Sequence, residues 1–484
     1  MAETPQKLLI DRKERLRIAP QRMPKQDPAE RVHNWDETSL GLDVESAKIE
    51  AYRCIQCPAA PCIKACPVHN DIPGAFLKLE NGDVIGAALT FRETSNLPEI
   101  CGRICPQESL CEGHCVVGKN NIPVQIGKLE FFATDYQRRA EGFPLPDVFP
   151  STGRSVAIIG AGPAGLAVAE ELVIRGHRCV VYDAWPEPGG ILLYGIPSFK
   201  LSKQIVTEKI EYLSKLGVEF VQNTFVGRDI SLATLIAHND AVFLGIGAGI
   251  GGRLRIEGED LPQVYEATDF LVRGNVSHEA RPVTMQEPVH CGERVVVIGG
   301  GDTSMDCVRT ARRLGAGEVT CVYRRTDSEM RGREEERRHA REEGVQFQFL
   351  TVPRRFLSGE DGGLKALVCE RMELGEPDES GRRRPMAVPG SSFEIPCDVA
   401  VVAIGYAADP VLQNQDLGLE LDKGGLVLID RESGRTNLAG VFAGGDDVNG
   451  ADLVVTALAD GRRAAQAMDR YLRAELGEKS VILS

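Results

Sequence analysis

Eight of the 14 cysteines fall between Cys54 and Cys115, and their spacing is that of a metal-binding region. The first run is CIQCPAAPCIKACP, placing Cys54, Cys57, Cys62 and Cys66 at intervals C-x2-C-x4-C-x3-C with a proline directly after. The second group is Cys101, Cys105, Cys111 and Cys115. Thiolates at this density suit soft metals, and four of them satisfy either a zinc ion or an iron–sulfur cluster. The closing Cys-Pro favours iron and sulfide. In two-cluster ferredoxins the cysteine before the proline serves the other cluster, and Cys66 stands one turn beyond a nearly complete ligand set. A disulfide framework suits a small secreted domain rather than a chain of 484 residues whose N-terminus is charged throughout.

Two glycine-rich turns carry the other chemistry. SVAIIGAGPAGLAVAEELVIRGHRCVVYD (155–183) and RVVVIGGGDTSMDCVRTARRLGAGEVTCVYRR (294–325) repeat one pattern, 139 positions apart. Each is an apolar strand, a glycine turn, a helix and a second strand, the opening of a doubly wound nucleotide-binding unit. In the first copy Gly160 permits the tight turn, Gly162 lets backbone approach a pyrophosphate, and Gly165 allows close helix–strand packing. Asp183 ends the second strand, where a carboxylate accepts ribose hydroxyls, as FAD or NAD would require. The second copy keeps Gly299 and Gly301, has Ser304 at the third position, and lacks the acid. With a two-residue insertion at Gly317, Arg324 falls where Asp183 stood and Arg325 follows. A guanidinium pairs with a 2′-phosphate that a carboxylate would repel, so this site is expected to prefer NADPH.

Elements that position these residues are legible in outline. Residues 1–50 read as an extended arm leading into a helix, and 51–140 as short helices between the cysteines. Pro- and Gly-rich 142–153 reads as a linker. The expected architecture is α/β: a helical cysteine-rich domain (1–150), a first dinucleotide-binding unit for FAD or NAD (151–288 and 400–484) and an NADPH-binding unit (289–399). A net charge of −14 argues against a nucleic-acid partner, although the stretch Arg309–Arg341 is dense in arginine. No long apolar run suggests a membrane span, and no secretion signal opens the chain, so a cytoplasmic location is expected. Neither GxSxG nor HExxH occurs.

The sequence resembles the two-dinucleotide-binding flavoproteins over nearly its whole length. Within them it is similar to the small subunit of NADPH-dependent glutamate synthase, the large subunit of NADH-dependent ferredoxin:NADP oxidoreductase and the N-terminal half of dihydropyrimidine dehydrogenase. Beyond the glycine motifs the resemblance rests on GGILLYGIPSFKL (189–201), YRRTDSEMRGREEERRHAREEGVQF (323–347) and GGDDVNGADLVVTALADGRRAA (444–465). It implies FAD at the first turn, with Gly190 and Asp446 joining Gly160, Gly162, Gly165 and Asp183, and NADPH at Gly299, Gly301, Asp302, Thr303, Arg324 and Arg325. It also implies two [4Fe–4S] clusters: one on Cys54, Cys57, Cys62 and Cys115, the other on Cys66, Cys105, Cys111 and the carboxylate of Glu130. Cys101 is then expected to be a buried free thiol, like Cys179, Cys291, Cys307, Cys321, Cys369 and Cys397.

Hydride transfer between NADPH and FAD needs no protein acid or nucleophile. The resemblance therefore implies an oxidoreductase subunit that passes single electrons to a partner. The partner would be a large synthase subunit or, in a bifurcating relative, a smaller flavoprotein, with ferredoxin as a further acceptor. The sequence shows no glutamine amidotransferase or FMN-barrel segment, so it is not expected to complete glutamate synthesis alone. A non-enzymatic electron-transfer adaptor or zinc-stabilised scaffold is the reading that two intact dinucleotide motifs oppose.

Overall fold

The computed structural model describes residues 11–377, 383–412 and 417–474. Two parallel sheets of five strands form its centre. The first contains β1 (Ser155–Ile159), β2 (Arg178–Tyr182), β3 (Glu219–Val221), β4 (Ala241–Leu244) and β15 (Val441–Ala443), in the order β15-β4-β1-β2-β3. The second contains β6 (Val264–Glu266), β7 (Arg294–Ile298), β8 (Glu318–Val322), β9 (Gln346–Gln348) and β13 (Val399–Val402), in the order β6-β13-β7-β8-β9. Their central strands are continuous apolar runs because both faces are covered, as parallel sheets require. A short ribbon pairs β5 (Ile250–Gly251) with β14 (Tyr406–Ala407). An antiparallel sheet of β10 (Thr351–Ser358), β11 (Leu364–Pro377) and β12 (Arg383–Pro396) extends from the second unit.

The expected limits of the second unit, 289–399, leave out strands that pair with it. β6 lies 23 residues before that range and β13 runs to Val402, yet β13 is hydrogen-bonded to both β6 and β7. Short, weakly patterned VYE (264–266) carries no periodic signal, and only its parallel register with β13 reveals where it belongs.

The cluster region is helical. Helices Val44–Tyr52, Ile72–Glu80, Val84–Thr94, Pro98–Ile104 and Ile126–Glu141 surround the cysteines. Their starts follow local chemistry: Asp43, Asp71 and Asp83 each accept a backbone N–H of the first turn, satisfying donors the helix leaves unpaired. Residues 144–150 are exposed, in keeping with a linker.

The arm packs as a strap across all three parts. Glu37 accepts from Arg103 of the cluster domain at 2.6 Å and from the Ser202 amide of the first unit. Thr38 donates its N–H to the Phe199 carbonyl and accepts from Arg309 of the second unit at 2.8 Å. Arg31, 1% exposed, pairs with Glu343 at 2.7 Å and Glu342 at 2.8 Å. Phe199 lies under the guanidinium groups of Arg309 and Arg313, 4.4 and 4.0 Å from its ring centre.

Candidate cofactor sites

The first glycine turn is built as its spacing requires. Gly160 has φ +99°, and a Cβ there would sit 2.2 Å from the Gly245 carbonyl oxygen. At Gly165 a Cβ would meet the Gly160 oxygen at 1.9 Å, so only glycine lets helix Pro163–Ile174 start so close to the strand. Gly162 faces open space, and Pro163 occupies the first helical position, where no N–H is needed. The amides at this helix start present positive dipole ends to an anion. Asp183 accepts from the Ala161 amide at 2.7 Å and the Trp185 amide at 2.9 Å, so it braces the turn as well as facing it. Gly190 (φ +51°) folds its loop onto Gly162. Asp446 begins a short helix after Gly445, whose Cα lies beside Ala164 and whose N–H donates to Asp460. Burial pushes the Asp446 carboxyl up to about 6. These groups fit an extended dinucleotide: an open glycine at a helix start, with acids at both ends.

The second turn repeats this skeleton. The Gly299 amide donates to Val322, as Gly160 donates to Tyr182; Ala403 donates to Ile298, as Gly245 donates to Ile159. Ser304 is accommodated at the third position because its Oγ hydrogen-bonds the Ala403 carbonyl at 3.2 Å. One expectation shifts by a residue. The Asp183 amide donates to Val221 on the third strand, and in the second unit the Tyr323 amide makes the equivalent bond to Gln348. Tyr323, not Arg324, therefore stands opposite Asp183, because the loop before β8 is one residue longer rather than two. The Tyr323 ring packs on Gly300, where a Cβ would lie 2.4 Å away, and removes the carboxylate from the pocket. Arg324, next in line, is exposed; Arg325 is buried and donates to the Arg383 carbonyl at 3.0 Å. The structure thus separates two residues that the sequence paired. Asp302 accepts from the Arg333 amide at 3.0 Å, and Thr303 lies beside the Tyr406 hydroxyl.

The cysteines gather into two groups. The Cys54 thiol, pushed up to about 12 by burial, is raised further by Cys62, Cys115 and Cys57. Cys66 is pushed up to about 11 by burial, with Glu130 and Cys105 adding to it. Burial also raises Cys111 well above its ordinary value, and Glu130, Cys105 and Cys66 act in the same direction. Glu130 is buried and raised by desolvation and by Cys105, while Asn70 donates to its Oε1 at 3.0 Å. Such thiols release their protons only to a strong positive charge, which a metal centre supplies. Among the described residues no three His, Cys, Asp or Glu side chains converge as a single-ion site. Cys66 and Cys101 share a hydrophobic core with the first dinucleotide unit, and Cys105 packs against it. Cys62 and Cys111 lie in the cluster domain's own core, with Cys54 and Cys115 against it. Cys101 hydrogen-bonds Cys105; it and the six other cysteines expected to be free are buried and unbridged.

A cavity of about 530 Å³ lies away from both turns, where the arm, the cluster domain and helix Glu334–Glu342 meet. Arg333 lines it and was not singled out from the sequence, nor was Arg331 two residues before it. Arg331 is exposed with its amide bonded to Gly300, and Arg333 is buried between the second unit and the cluster domain. Both lie in the arginine-dense stretch, whose density signalled charge without showing which residues face a site.

Comparison with known proteins agrees with this geometry. The 4Fe–4S cluster family described as dihydropyrimidine dehydrogenase domain II matches residues 31–142, and the pyridine nucleotide-disulphide oxidoreductase family matches residues 154–461. The chain is 43% identical over 432 residues to the glutamate synthase [NADPH] small chain of Escherichia coli, covering 88% of this chain and 91% of that one. It is 44% identical over 452 residues to the putative oxidoreductase UacF of Escherichia coli, covering 91% of this chain and 70% of that one. Mycobacterium tuberculosis FprA in complex with NADPH shares the fold at a TM-score of 0.56 and 22% identity, over 68% of this chain and 86% of that one. Among the described residues no helix is long and apolar enough to cross a membrane. With two dinucleotide turns behind a cysteine-rich helical domain, the chain belongs to the glutamate synthase [NADPH] small-chain family of NADPH-dependent flavin and iron–sulfur oxidoreductases.

Proposed function

We propose that this chain is an electron-input subunit, taking hydride from NADPH and delivering single electrons through two clusters to a partner protein in the cytoplasm. The observation that carries it is the placement of the two cysteine groups. Cys66 and Cys105 belong to or pack against the core of the first dinucleotide unit, while Cys54, Cys62 and Cys115 belong to or pack against the cluster domain's own core, and Cys54 and Cys57 are partly exposed. Bound FAD would supply the conversion of an electron pair into single electrons. The chain's own residues hold positions. Gly160, Gly162, Gly165 and Gly190 shape the FAD turn, Asp183 takes the ribose, and Asp446 meets the ribityl and pyrophosphate end. Gly299, Gly301, Asp302 and Thr303 receive NADPH, and Arg324, joined by Arg331 and less by Arg325, meets its 2′-phosphate. Cys54, Cys57, Cys62 and Cys115 hold the outer cluster; Cys66, Cys105, Cys111 and Glu130 hold the inner one. The sheets support dividing the dinucleotide units at 151–263 with 403–474, and 264–402.

A small chain among the relatives supports a partner subunit, and a large synthase is the partner proposed here. Anaerobic isolation from the native source tests the reading. Iron, sulfide and flavin should co-purify with a much larger chain, and two cluster signals should appear on NADPH addition. A smaller flavoprotein in its place favours a bifurcating assembly; zinc without sulfide, or no flavin, removes the proposal.

A further inference from the structure

The segment Arg331–Arg333 joins two sites that the electron path keeps apart. The amides of Arg331 and Gly332 both donate to the Gly300 carbonyl at 3.0 Å, and that of Arg333 donates to Asp302. Gly332 lies so close that a Cβ would sit 3.1 Å from the carbonyl of Gly301. The backbone here is an extension of the NADPH turn. The Arg333 side chain runs the other way, into the cluster domain. Its guanidinium, buried, donates to the Arg103 carbonyl at 3.1 Å and to Gln107 Oε1 at 2.9 Å. Gln107 organises the cluster loop: its backbone amide donates to the Cys105 carbonyl, and its backbone carbonyl accepts from the amides of Glu112 and Gly113, the two residues after Cys111.

We infer that Arg333 is a positioning residue that couples dinucleotide binding at the second turn to the environment of the inner cluster. This rests on the reading that Cys66, Cys105, Cys111 and Glu130 hold that cluster. A pyrophosphate docks on the amides at a helix start, here the Gly301–Thr303 turn to which Arg331–Arg333 is bonded. A buried cation near a cluster favours its more negative, reduced state, and bonds to the ligand loop tune the potential. Arginine suits both tasks, since its fork bridges two acceptors while its charge stays fixed, whereas lysine offers only the charge. By linkage, whatever binding does to the cluster's potential, the cluster's oxidation state does to binding.

The test is an EPR-monitored redox titration of the holoprotein with and without 2′-phospho-adenosine diphosphoribose, which keeps the pyrophosphate and cannot accept hydride. In the wild type it should move the inner cluster's midpoint by an amount equal to about a fivefold difference in affinity, or about 40 mV for a one-electron couple, and leave the outer cluster in place. Arg333→Met should lower the inner midpoint and abolish the response. Arg333→Lys should hold the midpoint near the wild-type value and still lose the response. Should Arg333→Met fail to fold, Gln107→Met must also lose the response. An unresponsive wild type, or a response that survives in Arg333→Met or Gln107→Met, overturns the inference. Absence of an inner-cluster signal overturns the cluster reading and this inference together, whereas two signals without a response overturn the inference alone.

Discussion

The two dinucleotide units share a hydrogen-bond skeleton and differ in what walls them. Helix Pro163–Ile174 is buried along nearly its whole length, and Gly461 of helix Val454–Ala474 lies so close that a Cβ would be 2.4 Å from the Ala164 carbonyl oxygen. At that crossing the wall is small, apolar and close-packed, and further along helix Pro163–Ile174 Glu170 and Glu171 pair with Lys209 and Arg462. Helix Asp302–Arg313 presents Asp306, Arg309 and Arg313 to Lys200, Glu336, Glu343 and the arm's Thr38, and the arm's Arg31 shares Glu343. Its wall is a buried ionic network contributed by three parts of the chain. The skeleton therefore fixes the unit, and the wall decides how tightly the bound group is enclosed.

The third glycine position separates the units most sharply. Gly165→Ala drives a Cβ into a backbone oxygen 1.9 Å away, and the neighbours that must yield are strand and turn. The expected cost is about 5 kcal/mol, and the chain should purify without flavin, read as the flavin-to-protein absorbance ratio. The matching Ser304→Ala removes only the bond to Ala403 and should cost about 1 kcal/mol in thermal unfolding. Equal losses at both sites would mean that the skeletons are not equivalent.

In the ionic wall the leading test is Arg309→Met, which leaves Glu336 and Glu343 buried beside fewer cations. Breaking one partner of a buried pair costs about 3–5 kcal/mol, read from denaturant midpoints. The units should also answer pH in opposite senses. Burial would raise Glu343, but the Arg309 and Arg313 guanidinium groups overcome it and hold it at about 2. Its folded value lies below the ordinary 4.5, so its contribution is full above that pH and is lost as pH falls toward 2, on the order of 3 kcal/mol. Asp446 is displaced the other way, to about 6, so ionising it in the folded, cofactor-free chain costs a similar amount as pH rises from about 4 to 6. Hydrogen exchange resolved by unit, from pH 3 to 7, checks both: acid should loosen the arm and second unit while the Gly445–Asn449 turn tightens.

The units and their turns were legible because their signals are local. Strand, glycines and helix fall within 30 residues, and each glycine's role follows from backbone contacts inside that window. The grouping of the cysteines was legible only through resemblance, since spacing alone does not say that Cys115 joins Cys54. The strap was not legible. Arg31 and Glu343 are 312 positions apart, and a charge run such as REEERRHAREE reads as a solvated helix until its partners are placed. VYE (264–266) was missed for a related reason: three residues carry no periodicity, and only pairing with β13 identifies them as a strand.

Local reading also paired Arg324 with Arg325, and the smallest expected effect tests what the fold did to that pair. Both follow β8, but alternate residues leaving a strand point to opposite faces. Arg324 is exposed past Tyr323, while Arg325 is buried and turns to the Arg383 carbonyl in the antiparallel sheet. An arginine–phosphate pair is worth about 1.5–2 kcal/mol, so Arg324→Ala should lower the ratio of NADPH to NADH reduction efficiency by about 10- to 30-fold. Arg325→Ala should change that ratio by less than about threefold, while lowering stability by about 1–3 kcal/mol because the Arg383 carbonyl loses its donor. Stopped-flow reduction of the flavin by each nucleotide gives the ratios, and thermal unfolding gives the stabilities. If the two substitutions change the ratio equally, both guanidinium groups reach the phosphate, and the inward turn of Arg325 belongs only to the nucleotide-free chain.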